Sequence, residues 1–374
     1  MKSRFQGLMT LTLLGLVLMQ ILLLGCAESE YLHPLSVADL FESKGKTMKE
    51  VATEVVTLPE DEDIRGLDFS PDGKLLATTS TQTLAVKIWD WRNRRIVRAF
   101  QRPQGSNLGS TESVRFSPDG RLLASCSDPS GPNRSITRIW NATSGEVVHD
   151  IEEPYSGGCE AIAFFPDGTV LARIAIRRAD DIHDSLIIYD TKTWQSIWGL
   201  HLTPFYPKHL AISPDGKFVA LAGQVRNPLS WPFPTPQPTF GTPPSPNQAL
   251  IVVVDVERRT VMRAIQAYAE RLAWSPDGAH IVAGGGLDPI MIFDAESGAL
   301  VTSEKGETGH VLVRYTPDGK YLIERIDLKV LIWDGQHREV YQEIPAAPGV
   351  IAVSQDGHYL AMGGDKKVIV WKLK

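Results

Sequence analysis

The chain has 374 residues, 43% of them hydrophobic, and a formal net charge of −6. That is apolar material for one large domain or two medium ones, without the clustered Lys and Arg that phosphate neutralisation needs, so nucleic acid is excluded as a partner. Three cysteines are too few for a disulfide framework, and no Cys/His cluster has zinc-ligand spacing, so neither metal nor cofactor is expected.

In chain order, the first element is a leader. Lys2 and Arg4 precede an apolar run from Leu8 to Leu24, and small residues follow, the pattern of an export signal over residues 1–25. Without it the remaining charge is −8. The stretch Leu23-Leu24-Gly25-Cys26 resembles the lipobox of bacterial lipoproteins. The resemblance implies cleavage before Cys26 and a lipid on its thiol, the thiolate being the nucleophile. An uncleaved anchor and an ordinary secretory signal with an incidental cysteine stay open, although a run of seventeen residues, interrupted by Thr, Gly and Gln, is short for a spanning helix. The lipid reading places the protein in the cell envelope, tethered to a membrane and facing away from the cytoplasm. Ala27, by resemblance, favours the outer membrane where the host has one. Residues 26–53 read as a tether, with a capping-box pattern in Ser36-Val37-Ala38-Asp39-Leu40-Phe41 that predicts one short helix.

Beyond residue 53 the chain repeats. Pro-Asp-Gly occurs at Pro71, Pro118, Pro166, Pro214, Pro276 and Pro317, and Gln355-Asp356-Gly357 is a seventh copy lacking only the proline. Proline presets the first turn position, aspartate caps the turn, and glycine takes the left-handed conformation that closes a hairpin. Five residues before each turn aspartate stand Leu67, Val114, Ile162, Leu210, Leu272, Val313 and Ile351. Four after it stand Leu76, Leu123, Leu171, Val219, Ile281, Leu322 and Leu360. This is period-two burial on both arms of a hairpin. A third strand follows each hairpin and ends in the style of Ile88-Trp89-Asp90 or Ile332-Trp333-Asp334, and a fourth follows a short turn. The dense basic run Arg92, Arg94, Arg95 and Arg98 reads as a solvated turn and strand face.

Four antiparallel strands in each of seven units predict an all-β fold, a seven-bladed β-propeller over residues 54–374. The turn motif and the Trp-Asp endings resemble the WD-repeat family. The Gly-His dipeptide, which in that family supplies the histidine of a buried hydrogen-bonded network, is missing, so interblade apolar packing is expected to outweigh polar networks. The seventh unit stops after its third strand, whereas Glu54-Val55-Val56-Thr57-Leu58 is a fourth-strand sequence with no unit of its own. Pairing the two closes the ring.

Strand parity puts the Pro-Asp-Gly turns on one face and the second-to-third-strand connections on the other. From turn aspartate to strand-ending aromatic, or its equivalent, the spacing is 17, 21, 22, 39, 16, 15 and 15 residues, so units two to four carry the excess as loop. The longest insertion, about 224–248, holds eight prolines with Trp231, Phe233 and Phe240. Prolines lower the entropy lost on ordering and aromatics supply contact area. With Phe205 and Tyr206 in the neighbouring link and Arg177 and Arg178 in unit three, these residues are the expected partner-binding patch. Asp181, His183 and Asp184 read as part of a solvated loop rather than a metal site. Cys126 and Cys159 both fall at this face, as small core residues or, alternatively, a disulfide.

The functional expectation is a platform for another protein, not an enzyme. Positions six and four before each turn aspartate are mostly small, with His209, Asp68, Arg115 and Arg314 as exceptions. Asp68 and Arg115 share one position in adjacent units and are expected to approach each other near the channel. The alternatives are an enzyme similar to the lactonase-like propellers and a receptor for a small ligand or glycan at the channel mouth.

Overall fold

The computed structural model describes residues 49–80, 84–101, 108–129, 135–153, 158–176, 185–202, 205–225, 249–285, 288–304, 311–336, 339–347 and 349–374. The leader with Cys26, the short helix predicted at 36–41, the loop holding Arg177, Arg178, Asp181, His183 and Asp184, and the insertion holding Trp231, Phe233 and Phe240 lie outside them.

The expected propeller forms. Seven four-stranded antiparallel sheets span residues 64–101, 108–153, 158–200, 205–266, 271–304 and 311–345, the seventh being 350–373 joined by Ala52–Pro59. In each of the first six, strand order follows the chain. In the last, Ala52–Pro59 pairs antiparallel with Lys367–Leu373, Glu54 facing Trp371 and Leu58 facing Val368. A bulge between Glu54 and Val56 sets the alternation that follows, with Val56 and Leu58 buried and Val55 and Thr57 exposed. The junction is tied to blade 6 as well, since Gln342 Oε1 accepts from the amides of Val51 and Ala52 at 2.7 Å.

Each turn repeats one chemical device. Ser70 Oγ donates to Asp72 Oδ1 at 2.7 Å, and the Lys74 amide donates to the same oxygen at 3.1 Å. Gly73, at φ 65°, then turns the chain back. Ser117–Asp119, Ser213–Asp215, Ser275–Asp277, Thr316–Asp318 and Ser354–Asp356 repeat the contact. Blade 3 has Phe165 at the serine position, and Asp167 takes Thr169 as partner instead.

The core lies between blades. Seven apolar clusters fill the seven blade-to-blade interfaces, each drawing side chains from two neighbours. The residue four after each turn aspartate, from Leu76 to Leu360, is fully buried in all seven copies. Polar networks nevertheless persist beside this packing, contrary to the balance the missing histidine suggests. In blade 1, Glu60 accepts from Thr78 Oγ1, Lys87 Nζ and Trp89 Nε1 at 2.7–2.8 Å, standing where a histidine donor is absent. Trp140 donates to Ser125 and Trp333 to Glu324 in blades 2 and 6. The basic run is a turn, as expected, with Arg94 at φ 53° and Arg92 stacked 4.1 Å over Trp91.

Leu58 joins the cluster between blades 7 and 1 from the closing strand. Leu58→Ala should therefore cost about 2–5 kcal/mol in urea unfolding. Val55→Ala, on the exposed side of the same strand, should shift stability by no more than about 0.5 kcal/mol.

Candidate functional site

Side chains on the innermost strands alternate between the interblade core and the central channel, because a strand turns successive residues to opposite faces. Leu67, Val114 and their equivalents pack between blades. The residues on either side of them face inward, and these form two rings of seven. One ring is Asp68, Arg115, Ala163, Ala211, Ala273, Arg314 and Ala352. The other is Gly66, Ser113, Ala161, His209, Arg271, Leu312 and Val350. All fourteen line a cavity of about 1240 Å³. The four alanines leave room for the three charged side chains of the first ring, Asp68, Arg115 and Arg314, which line the channel.

The electrostatics of this cluster are unusual for an acidic chain. Burial raises the Asp68 carboxyl to about 6, although Arg115, the Phe116 amide and Arg314 pull it down. Its Oδ2 accepts from the Phe116 N–H at 2.8 Å, so blade 1 caps an amide of blade 2. Asp68 and Arg115 thus sense each other's charge, while the Asp68 hydrogen bond goes to backbone. His209 plays a parallel part between blades 4 and 5, Nδ1 accepting from the Leu272 N–H at 3.2 Å. Burial and the charges of Arg271, Arg314 and Arg115 push His209 well below its ordinary value of 6.5, so it is neutral, with the proton on Nε2. Arg271 is the cluster member that sequence reasoning missed. It occupies the same inward position as His209, one blade on, and the same count of offsets would have found it.

At the other candidate region, the strand ends agree with loop excess in blades 2 to 4. Second and third strands are separated by the stretches between Pro129 and Ser135, Ile176 and Leu186, and Val225 and Ala249. In blade 6 the gap runs only from Ile326 to Lys329. Cys126 and Cys159 are joined by a disulfide across blades 2 and 3 at this face, with Cα atoms 5.9 Å apart and both residues fully buried. The alternative that the sequence left open is therefore the one realised. Arg173 beside them is also fully buried, its Nε donating to Thr137 Oγ1 at 3.0 Å.

Phe205 requires a correction. It is a core residue, 1% exposed, in the cluster between blades 3 and 4, and is not part of an exposed patch. The reason is a bulge between Pro207 and His209. One extra residue reverses the alternation, so Phe205 turns to the same side as Leu210 instead of the channel or solvent. Tyr206, next to it, is half-buried. Among the described residues there is no group of three His, Cys, Asp or Glu side chains that could hold a metal ion.

The WD domain, G-beta repeat model matches residues 52–90, 105–130 and 345–372. These segments are the closing strand with the first three strands of blade 1, the first half of blade 2, and blade 7. Together with the seven-bladed ring they support the resemblance to WD-repeat propellers. Similar proteins include Protein HIR1 of Candida albicans, 27% identical over 218 residues, covering 58% of this chain and 19% of that protein. Protein hir1 of Aspergillus terreus is 23% identical over 235 residues, covering 61% and 21%. Protein hir-1 of Neurospora crassa is 24% identical over 254 residues, covering 61% and 23%. The chain therefore spans about a fifth of the length of these relatives. They overturn one expectation. A lipid-anchored place in a cell envelope does not stand, because the matching proteins are fungal and named HIR1, whereas the Gly25-Cys26 leader resembles a bacterial device.

Two measurements test this geometry. A peptide map without reduction should recover the Cys126 and Cys159 peptides as one linked species that reduction separates. Replacing both cysteines with alanine should cost on the order of 3–4 kcal/mol, as expected for a loop of this length. Asp68 gives a pH signature. Its folded pKa lies above the ordinary 3.8, so its protonated form favours the folded state. That contribution is full below about pH 4 and is lost as pH rises through about 6. Asp68→Asn should flatten this part of the fall in Tm.

Proposed function

We propose that this propeller is a protein-binding platform whose docking surface is the face formed by the second-to-third-strand connections of blades 2, 3 and 4. The observation that carries the reading is the one-sided asymmetry of the ring. Blades 5, 6 and 7 leave only two residues between these strands, while blade 4 places an insertion between Val225 and Ala249. WD-repeat propellers generally bind other proteins, which accords with this asymmetry.

Trp231, Phe233 and Phe240 are the proposed anchors, with Arg177 and Arg178 supplying polarity and Tyr206 at the border. Binding energy concentrates in a few aromatic and arginine side chains, and prolines reduce the entropy lost when such a segment orders. The Cys126–Cys159 bond supports the reading, since it fixes the frame from which two of the three loops spring. The partner is another protein, and no catalytic step is assigned.

A photocrosslinker at position 231 should capture a partner that one at Leu328 does not, Leu328 being an exposed residue on the short connection of blade 6. Trp231→Ala with Phe233→Ala should weaken that capture by about tenfold or more. The thermal midpoint should stay nearly constant. Normal binding by the double variant would reduce the insertion to a structural role.

A further inference from the structure

The docking face leaves the channel unexplained, and the channel lining carries more cationic than anionic side chains. Six lysine and arginine side chains line it against three carboxylates, Asp68, Glu270 and Asp327. The chain as a whole carries −6. At the centre stand Arg115, Arg271 and Arg314, from blades 2, 5 and 6. Each is held in the same way, its Nη1 donating to the carbonyl of the preceding residue, at 2.7 Å to Val114, 2.9 Å to Glu270 and 2.9 Å to Val313. One N–H of each guanidinium is thereby fixed, and the fork is oriented. A guanidinium has five donors. For Arg115 and Arg314 that carbonyl is the sole hydrogen-bond acceptor among the described residues.

The three cations also crowd one another. Burial and the facing charges of Arg115 and Arg271 bring Arg314 down to about 9, and Asp68 offsets only part of this. Packing does not account for Arg115 and Arg314, since their ring position is alanine in four other blades. A structural arginine is normally matched by an acid. For Arg314 the acid that offsets its charge is Asp68, and burial already favours the neutral form of that carboxyl.

We propose that the channel is a binding site for a small ligand bearing an oxyanion, a carboxylate or a phosphate-like group, held by the converging guanidinium groups of Arg115, Arg271 and Arg314. An oxyanion there would accept from the remaining N–H donors of Arg115 and Arg314 and relieve the repulsion among the cations. Arginine forks match both planar carboxylates and tetrahedral oxyanions. His209 Nε2 adds a neutral donor in the second ring. The site is independent of the docking face, so either can fail without the other.

Asp68 makes the site pH-dependent. Its carboxylate is faced by Arg115, Arg314 and the Phe116 amide, while neutral His209 faces the same arginines. Above about pH 6 the ionised Asp68 competes with the ligand for these arginines, and below it the neutral acid does not.

The test uses the full chain with sulfate and with oxalate, both dianions between about pH 5.5 and 7.5, a range that brackets the Asp68 transition. Chloride at matched ionic strength is the reference. Calorimetry and thermal shift should show binding, tighter at the lower pH. Arg314→Met keeps the side-chain length, removes the charge, and should weaken binding by about 10–100-fold. Its ligand-free midpoint should not fall, because one of three repelling cations is gone, whereas loss of a merely structural arginine would lower it. Should that variant fail to fold, Arg115→Met is read in the same way. Asp68→Asn should tighten binding at the higher pH and abolish the pH difference. A response to sulfate alone assigns a tetrahedral group and a response to oxalate alone a carboxylate. No response to either anion, or equal responses from Arg314→Met and the unaltered chain, overturns the proposal.

Discussion

Burial between neighbouring blades is the constraint on which everything else in this molecule depends. Each sheet is apolar on both faces and has no core of its own, so a blade is stable only between two others. Seven interfaces, each filled by one shared cluster, meet that requirement only if the ring closes. Closure falls to Ala52–Pro59, which supplies the outer strand of the last blade and covers what would otherwise be an open edge. The two ends of the domain thus meet in one sheet, and the Leu58 side chain carries the seam into blade 1.

The channel chemistry is a consequence of the same alternation. On the innermost strands the side chains five and three residues before the turn aspartate are committed to interblade packing, so those six and four before it are released from it. Four alanines in one ring keep the cavity open, and Asp68, Arg115 and Arg314 line it. Charges held there by backbone carbonyls and amides cannot spread into solvent, so burial and mutual repulsion govern their titration.

Variation among blades follows what the packing tolerates. The segments that match the WD domain model belong to blades 1, 2 and 7, and the third strands of blades 1, 2, 6 and 7 carry Trp89, Trp140, Trp333 and Trp371. Blades 3, 4 and 5 place Tyr189, Val254 and Phe293 there, all buried. The repeat signature fades while the apolar contact survives. Polar networks are freer still, with Glu60 serving Trp89, Ser125 serving Trp140 and Glu324 serving Trp333.

The sequence by itself determined the blade count, the strand order and the closing strand, because a period-two pattern repeated seven times admits one register and one way to bury it. It also marked Asp68, His209, Arg115 and Arg314, since their offsets from each turn place them on one side of a strand. What it could not decide were events that break the period or join distant segments. The Pro207–His209 bulge turned Phe205 from the expected patch into the core, and nothing local to Phe205 announces an inserted residue three positions on. The Cys126–Cys159 bond required two blades to set Cα atoms 5.9 Å apart, a distance fixed by the ring and not by the 33 intervening residues. The convergence of Arg115, Arg271 and Arg314 likewise needed the closed ring, because blades remote in sequence share a channel only once the first and last are joined.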